Sequence, residues 1–325
     1  LLSPQSFWAR QHFGVRQNNR GRGIVQSMRL KFSRKRLIVL LYVAGGLFFT
    51  LAVTLGILRA NINPERVFWR TIERSLSTQG VTIEAEEMEG SASIKQIVRY
   101  SLGANNIAHS ITALSDQGTT VQNEIIGTPD VDYYRFLKVA TSQTKADGGA
   151  IDFSDVIGVW AKSEEGAGQS FVQAVLSGAL PAALLGVPIG NLPAEARHNL
   201  IRQIRNDNVY QVAFDAVKKE REGMRLFYTY DVDVQPVAYV ALMKQFAQAV
   251  GLHDFDQLDP NAYEGQPAIK LTITIDVFAS EFVRISDPAS GKSLTYSGYG
   301  IPVQVRPPKD AITNEEMQKR LSELQ

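Results

Sequence analysis

The hydrophobic pattern of the chain starts with one long apolar run near the N-terminus. Residues 37–58 read LIVLLYVAGGLFFTLAVTLGIL and carry no charge. A helix of this length spans about 33 Å, which is enough to cross a hydrocarbon core of about 30 Å. Basic residues 34–36 abut its N-terminal side, so the positive-inside rule places the N-terminus in the cytoplasm. The pattern predicts a single-pass protein of the cell membrane, with a transmembrane helix over 37–58 and an extracytoplasmic C-terminal domain.

Two other interpretations of this run stay open. A cleaved signal peptide has an apolar stretch of about 7–15 residues and a small-x-small site, whereas this run is longer and ends in Leu58-Arg59-Ala60-Asn61. A buried core helix is the second alternative, although such a helix is rarely apolar on every side. Residues 1–36 are expected to form a basic cytoplasmic tail. If Met28 is the true start, residues 1–27 are not translated.

Shorter periodic segments follow from residue 62. Asn63 suits a helix N-cap and Pro64 suits the first turn, and the apolar spacing predicts a helix over 62–77. The period then changes to the alternation typical of strands, with breaks at glycine and asparagine clusters. The spacing of about 12 residues favours an antiparallel meander. Strands are expected at 81–87, 93–102, 107–114, 119–126, 133–140 and 155–161.

Residues 166–194 form a second uncharged stretch, which is interrupted by Pro181, Pro188 and Pro193. These breakers favour short apolar helices and loops packed on the sheet, while a second membrane span stays an alternative. Further helices are expected at 193–205 and 236–250. Further strands are expected at 209–218 and 225–234, joined as a hairpin across 219–223, and at 269–278, 282–285 and 293–305. Residues 62–308 are interpreted as one α+β domain, and residues 309–325 as a frayed helix or charged tail.

Charge is divided unevenly along the chain. All 33 acidic residues lie from Glu65 onward, whereas nine of the 34 basic residues lie within residues 1–36. An outer domain this acidic is a poor partner for nucleic acid, because phosphate contacts need a positive surface. The chain contains no cysteine, which excludes disulfides, thiolate zinc sites and a lipid-modified cysteine. Any membrane attachment is therefore expected through the polypeptide itself.

No motif argues for catalysis. Asp130 and Asp132 form a D-x-D pair after Thr128-Pro129, where aspartate favours a turn over a calcium site. Ser290-Gly291-Lys292-Ser293 lacks the first glycine of a phosphate-binding loop and is expected to be a hairpin turn. The four histidines are far apart in sequence, and a metal site from scattered ligands stays an alternative. We expect no enzyme activity, no metal and no cofactor.

Several local segments resemble the LolA/LppX-type family of periplasmic lipid carriers and lipoproteins over residues 63–308. The closing segment Leu294-Thr295-Tyr296-Ser297-Gly298-Tyr299-Gly300-Ile301-Pro302-Val303, followed by Arg306-Pro307-Pro308, looks like the end of that family. Asp132-Tyr133-Tyr134 and Val159-Trp160-Ala161-Lys162 are similar to its middle. The resemblance implies a curved antiparallel sheet, a half barrel, with helices packed on its concave face and an apolar cavity between them. The chain departs from the family because a helix replaces the lipid-modified cysteine.

Two functional hypotheses follow. In the first, a tethered outer domain binds a lipid or other apolar ligand in the half-barrel cavity, and burial of acyl chain contributes about 0.8 kcal/mol per CH₂. The residues expected to line or gate that cavity are Phe171, Val172, Val175, Leu176, Leu180, Leu184 and Leu185. In the second, the core is filled by its own side chains and the domain is a structural or interaction protein of the cell envelope. An open apolar cavity or a solid core would distinguish the two.

Overall fold

The computed structural model describes residues 62–103, 106–145, 148–163, 186–252 and 259–324, together with Gly46, Phe48 and Thr50. The chain divides into two compact units, Leu1–Ile57 and Leu58–Gln325. In the first unit, the three described residues are helical. Among all described residues, no helix is both long enough and apolar enough to cross a membrane. The span 37–58 and the tail 1–36 lie outside the described residues, apart from those three positions, and stay predictions.

The second unit is α+β and is built on a large, curved antiparallel sheet that does not close on itself. Its strands are β1 Val81–Glu89, β2 Ala92–Ser101, β3 Ile107–Asp116, β4 Thr119–Gly127, β5 Asp132–Ala140, β6 Ala161–Lys162, β7 Tyr210–Val212, β8 Lys218–Glu222, β9 Arg225–Val234, β10 Ile269–Asp276, β11 Glu281–Ser286, β12 Ser293–Ser297 and β13 Ile312–Thr313. Their order in the sheet is β13-β6-β5-β4-β3-β2-β1-β12-β11-β10-β9-β7, and β8 pairs with the same edge of β9 as β7. The β13–β6 pair is parallel and every other described pair is antiparallel.

The expected antiparallel meander is confirmed. Strands β1 to β5 follow one another as neighbours in the sheet, each within about two residues of its expected bounds. Two of its hairpin turns carry Gly90 and Gly118 at φ +61° and +81°. Glycine adopts this left-handed conformation without the steric penalty that a Cβ brings, so these turns are short. We call β1 to β5 the meander.

Within the described ranges, four α-helices accompany the sheet: α1 Pro64–Ser75, α2 Ala194–Asn206, α3 Pro236–Ala249 and α4 Asn314–Ser322. A 3₁₀ turn lies at Pro260–Tyr263. The expected start of α1 is confirmed, since the side chain of Asn63 accepts a hydrogen bond from the backbone N–H of Arg66 at 3.2 Å. This cap satisfies one of the N–H groups that have no partner within the helix. The inward face of α1 carries Val67, Phe68 and Ile72, all fully buried.

One apolar core joins α1, α2 and α3 to a single face of the sheet. Strand β10 illustrates why the core lies on one face. Its residues Leu271, Ile273 and Ile275 point inward and are buried, while the threonines between them are half-buried. This period of two predicts a sheet with one apolar and one polar face. Burial of each large apolar side chain stabilises the fold by about 1.5–3 kcal/mol.

The described part of the uncharged stretch, residues 186–193, is extended and lies against α1. Its backbone forms hydrogen bonds with Ser75, Leu76 and Leu102 at 2.8–3.0 Å. Val187 and Ile189 within it are buried in the core. At these residues the expectation of a loop packed on the domain is confirmed. Residues 164–185 lie outside the described part of the chain.

Two expectations for the C-terminal half are wrong in their residue bounds: the hairpin across 219–223 and the last strand. The hairpin turn is not at 219–223 but at Gly223-Met224, because Gly223 adopts φ +59° and β8 extends to Glu222. The last strand does not run from 293 to 305. It stops at Ser297, where Gly298 and Gly300 take φ +63° and +75° and turn the chain across the start of β1. The continuous closing strand on which the family resemblance partly rests is therefore absent.

The C-terminal residues pack as a small satellite core. Met317 of α4 is fully buried with Val156 and Ala161. The strand expected at 155–161 is wrong except for its last residue, because Phe153–Ile157 close a turn through backbone hydrogen bonds and strand pairing begins at Ala161. Residues Asn314–Ser322 within the segment 309–325 form a helix that is capped by Thr313.

Candidate functional site

The strongest candidate site is the face of the meander that points toward the core, which we call the inner face. Strand register places Ile83, Val98, Ser110 and Ile125 in one row across β1 to β4. Directly opposed residues of antiparallel strands share a face, so this row defines the inner face. Ile83 and Val98 belong to the large core, and Ile125 packs against it.

The next row along the inner face is polar. Gln96, Thr112 and Asn123 lie opposite one another on β2, β3 and β4. Nε2 of Gln96 donates to Oγ1 of Thr112 at 3.2 Å and lies 3.4 Å from Oγ of Ser110. Gln96 and Ser110 are buried. The strands therefore carry a row of polar side chains, Gln96, Thr112 and Asn123, in the middle of a largely apolar face, and Ser110 of the preceding row joins its hydrogen bonds. We call these three residues the polar row.

Two carbonyl oxygens of the polar row lack partners. Oε1 of Gln96 and Oδ1 of Asn123 are buried and accept no hydrogen bond within the described part of the chain. Leaving a buried polar atom without a partner costs about 1–3 kcal/mol. Unsatisfied polar groups of this kind are uncommon in folded proteins, and an ordered water or a bound molecule is one explanation for them. Both atoms are acceptors and would be satisfied by a neutral hydrogen-bond donor.

Beyond the polar row, the inner face becomes apolar again but is not filled. Ile94, Leu114 and Val121 lie opposite one another on β2, β3 and β4. Leu114 is 39% exposed and its two neighbours are half-buried. This apolar row differs from the fully buried row formed by Ile83 and Val98 at the other end of the same face.

Buried phenols lie where the inner face meets the helices. Tyr100, Tyr239 and Tyr296 come from β2, α3 and β12. Burial raises the pKa of each hydroxyl, and the neighbouring phenols raise the pKa of Tyr100 and Tyr296 further. All three are therefore neutral at physiological pH. This end of the site offers hydroxyl groups and aromatic surface without charge.

The opposite face of the meander carries a charged cluster. Nε2 of His109 lies 2.8 Å from one carboxylate oxygen of Glu124, and Arg135 donates to the other at 2.6 and 2.7 Å. The guanidinium of Arg135 stacks 4.5 Å above the ring of Trp160. Burial alone would raise the pKa of Glu124, but hydrogen bonds from His109 and Arg135 outweigh burial and hold it below its ordinary value. Both carboxylate oxygens are engaged, so the cluster clamps β3, β4 and β5 together.

None of the residues expected to line the cavity can be placed. Phe171, Val172, Val175, Leu176, Leu180, Leu184 and Leu185 all lie outside the described residues. The polar row was not anticipated from the sequence. Its members are separated by up to 27 positions, and alternating Gln, Ser, Thr and Asn in strands is also the ordinary signal of a solvated face.

The other motifs noted in the sequence, the aspartate pair and the segment at Ser290, have structural roles. Thr128 and Val131 close a turn through two hydrogen bonds at 2.7 and 3.1 Å, so Asp130 belongs to a turn as expected. Ser290-Gly291-Lys292 joins β11 to β12, with Gly291 at φ +72°, and the expected hairpin turn is confirmed. Within the described ranges, no group of three or more His, Asp or Glu side chains is arranged to hold a metal ion.

Comparison with known proteins gives no relative for this chain. No family model matches the sequence, and no curated protein is significantly similar to it.

Proposed function

We propose that this protein is a membrane-anchored, extracytoplasmic domain that binds a lipid or another apolar ligand against the inner face of its meander. In this proposal the curved sheet acts as a half barrel with its helices on the concave face, as in LolA/LppX-type carriers. Residues 37–58 anchor the domain in the bilayer. In this proposal the uncharged residues 166–185, which contain the side chains expected to line the cavity, supply the remainder of the ligand contact.

One observation carries the proposal. The inner face changes from a fully buried row at Ile83 and Val98 to a half-exposed apolar row at Ile94, Leu114 and Val121. Exposed apolar surface beside a core is costly in water and is typical of a ligand-binding surface. The polar row between the two apolar rows provides acceptors that orient a ligand, in the way that a few polar groups do in mostly apolar sites.

The experiment uses the fragment 62–325, which contains the whole described core. Purified fragment is analysed by native mass spectrometry for bound lipid and then titrated with a fluorescent fatty acid. We expect a bound apolar molecule and saturable binding. Leu114→Glu places a charge on the apolar row and is expected to weaken binding by about tenfold or more, since a buried unpaired charge is strongly unfavourable.

Ala113→Glu is the matched control because Ala113 is the neighbouring residue of β3 and points to the opposite face. This variant is expected to bind as the unaltered fragment does. If the fragment contains no lipid and does not bind the probe, the proposal is wrong.

A second candidate function has its own supporting observation. Beneath α1 and α3 the core is solid, with Phe68, Phe246 and Ile273 fully buried. A filled core supports a structural or interaction protein of the cell envelope. That function is favoured if the fragment is free of lipid and Leu114→Glu changes neither its fold nor any ligand binding.

A further inference from the structure

The start of α1 is tied to one particular strand of the sheet. The hydroxyl of Tyr228 donates to the carbonyl of Ile62 at 2.7 Å, and the hydroxyl of Tyr230 donates to the carbonyl of Pro64 at 2.9 Å. Both tyrosines belong to β9, and Tyr228 lies three residues from the beginning of that strand. The first described residue of the outer domain is therefore held beside the end of the sheet at which β9 starts.

Two neighbouring hairpin tips project from that end. One is the Gly223-Met224 turn before β9, and the other is the turn after β10 that contains Phe278. The tips are joined because the N–H of Val277 donates to the carbonyl of Leu226 at 2.9 Å. Met224 is 89% exposed and Phe278 is 63% exposed. Two large apolar side chains on adjacent tips are therefore left in solvent.

Basic residues are concentrated at the Met224 tip, whereas Asp276 and Glu281 flank Phe278. Residues 218–225 read KKEREGMR, which gives four basic and two acidic side chains, and all eight residues are exposed. At the opposite end of the sheet, Met88 is also 68% exposed on a hairpin, but the segment 84–89 around it contains four glutamates and no basic residue. Arg225 pairs with Asp276 at 2.8 Å, and among the described residues Lys219 and Arg221 are the basic side chains of the Met224 tip that form no ion pair, while one of the glutamates near Met88 pairs with Lys292. The Met224 tip thus carries a net basic segment and the Met88 tip a net acidic one.

We propose that the Met224 and Phe278 tips rest in the headgroup region of the bilayer that anchors the chain. The predicted span ends at residue 58, and the four peptide steps to Ile62 extend at most about 14 Å. If residues 37–58 span the bilayer, this short connection limits how far Ile62 can be from the end of the span. Met and Phe side chains insert at the boundary between headgroups and acyl chains, while Lys and Arg attract anionic lipid. This inference rests on the predicted span and does not depend on ligand binding to the inner face.

The absence of cysteine allows a direct test in the full chain. Met224→Cys, Phe278→Cys and, as matched control, Met88→Cys are each labelled with an environment-sensitive dye and placed in nanodiscs containing anionic phosphatidylglycerol. A spin-labelled lipid then serves as the quencher. We expect quenching at positions 224 and 278 to exceed that at position 88 by about twofold or more, because only buried interfacial groups approach the lipid label.

Equal quenching at the three positions would overturn the proposal. A shifted dye spectrum at 224 and 278 without quenching by the lipid label would also overturn it, and would indicate a protein partner or a second copy of the chain. Failure of the full chain to enter nanodiscs would reject the predicted span and this proposal together. Lys219→Glu with Arg221→Glu is expected to reduce quenching at position 224 by about twofold, since it reverses the local charge.

Discussion

Two halves of the sheet, strands β9 to β12 and the meander, differ in how completely their inward side chains are buried. Strands β9 to β12 lie under α1 and α3, and their inward side chains, such as Tyr230, Ile273 and Phe282, are buried almost completely. The meander turns the same side toward the interior, yet beyond Val98 its inner face carries the polar row and then half-exposed Leu114. Among the described residues, β9 to β12 form a filled half, whereas the inner face of the meander has fewer buried apolar side chains and two carbonyl oxygens without hydrogen-bond partners.

This difference matches the proposed division between a half that stabilises the unit and a half that binds a ligand. The filled half supplies the apolar burial that holds the unit together. The meander is held instead by backbone ladders and by the charged clamp of His109, Glu124 and Arg135 on its other face. Its inner face is therefore not required to supply as much apolar burial, which is the condition under which we propose that it binds a ligand.

The largest expected effect concerns the filled half. Phe246→Ala removes a fully buried ring from α3 and is expected to lower the free energy of unfolding by about 3–5 kcal/mol, measured by urea denaturation of the fragment 62–325. The control Phe278→Ala removes an exposed ring and should change that free energy by less than about 0.5 kcal/mol. Similar losses in both variants would contradict the contrast between a filled core and a solvated tip.

The second effect concerns residues 186–193, which pack against α1. Gly103 has φ +105°, and a Cβ at this position would clash with the carbonyl oxygen of Asn191. Gly103→Ala is therefore expected to destabilise the unit by about 2–4 kcal/mol in the same denaturation experiment, through left-handed backbone strain and a backbone clash. Gly90→Ala, at a meander tip with open space around it, carries only the backbone strain and should cost about 1–2 kcal/mol. Equal costs would show that residues 186–193 are not locked against the sheet.

A smaller effect, dependent on pH, is expected from the clamp of the meander. The pKa of Glu124 is lowered in the folded state, so its carboxylate stabilises the fold above the ordinary value of 4.5, and this contribution is lost as the pH falls through the folded-state pKa. Glu124→Gln should cost about 1–2 kcal/mol at pH 7 and flatten the decline of stability below pH 4.5. Unfolding is followed by circular dichroism at each pH. Glu316→Gln, in a more exposed ion pair with Arg320, should cost at most about 0.5 kcal/mol.

The smallest effect is expected in the polar row. Gln96→Leu loses hydrogen bonds to two hydroxyls but also removes a buried carbonyl that has no partner among the described residues, so the change in unfolding free energy should stay within about 1 kcal/mol. Binding of the fluorescent fatty acid is measured on the same variant. If Gln96→Leu destabilised the unit as strongly as Phe246→Ala, the polar row would be part of the structural core, and the distinction between the two halves would fail.

The meander was predictable because its signals are local. Alternation of apolar and polar residues and glycine turns indicated β1 to β5, and the cap at Asn63 with its apolar stripe indicated α1. Errors arose where a local signal was ambiguous. The apolar residues around Val156 resembled a strand but close a turn, and the residues after Ser297 continued an alternating pattern that two glycines interrupt.

By itself, the sequence determined the periodic elements, the α+β class and the uneven charge, because these depend on residues within a few positions of one another. Only the tertiary structure decided that Gln96, Thr112 and Asn123 form one row, and that Met224 and Phe278 share one end of the sheet. These relations depend on strand register and on backbone contacts between residues far apart in the chain. No local pattern specifies such contacts, because a shift of one residue in register would send every side chain of a strand to its other face.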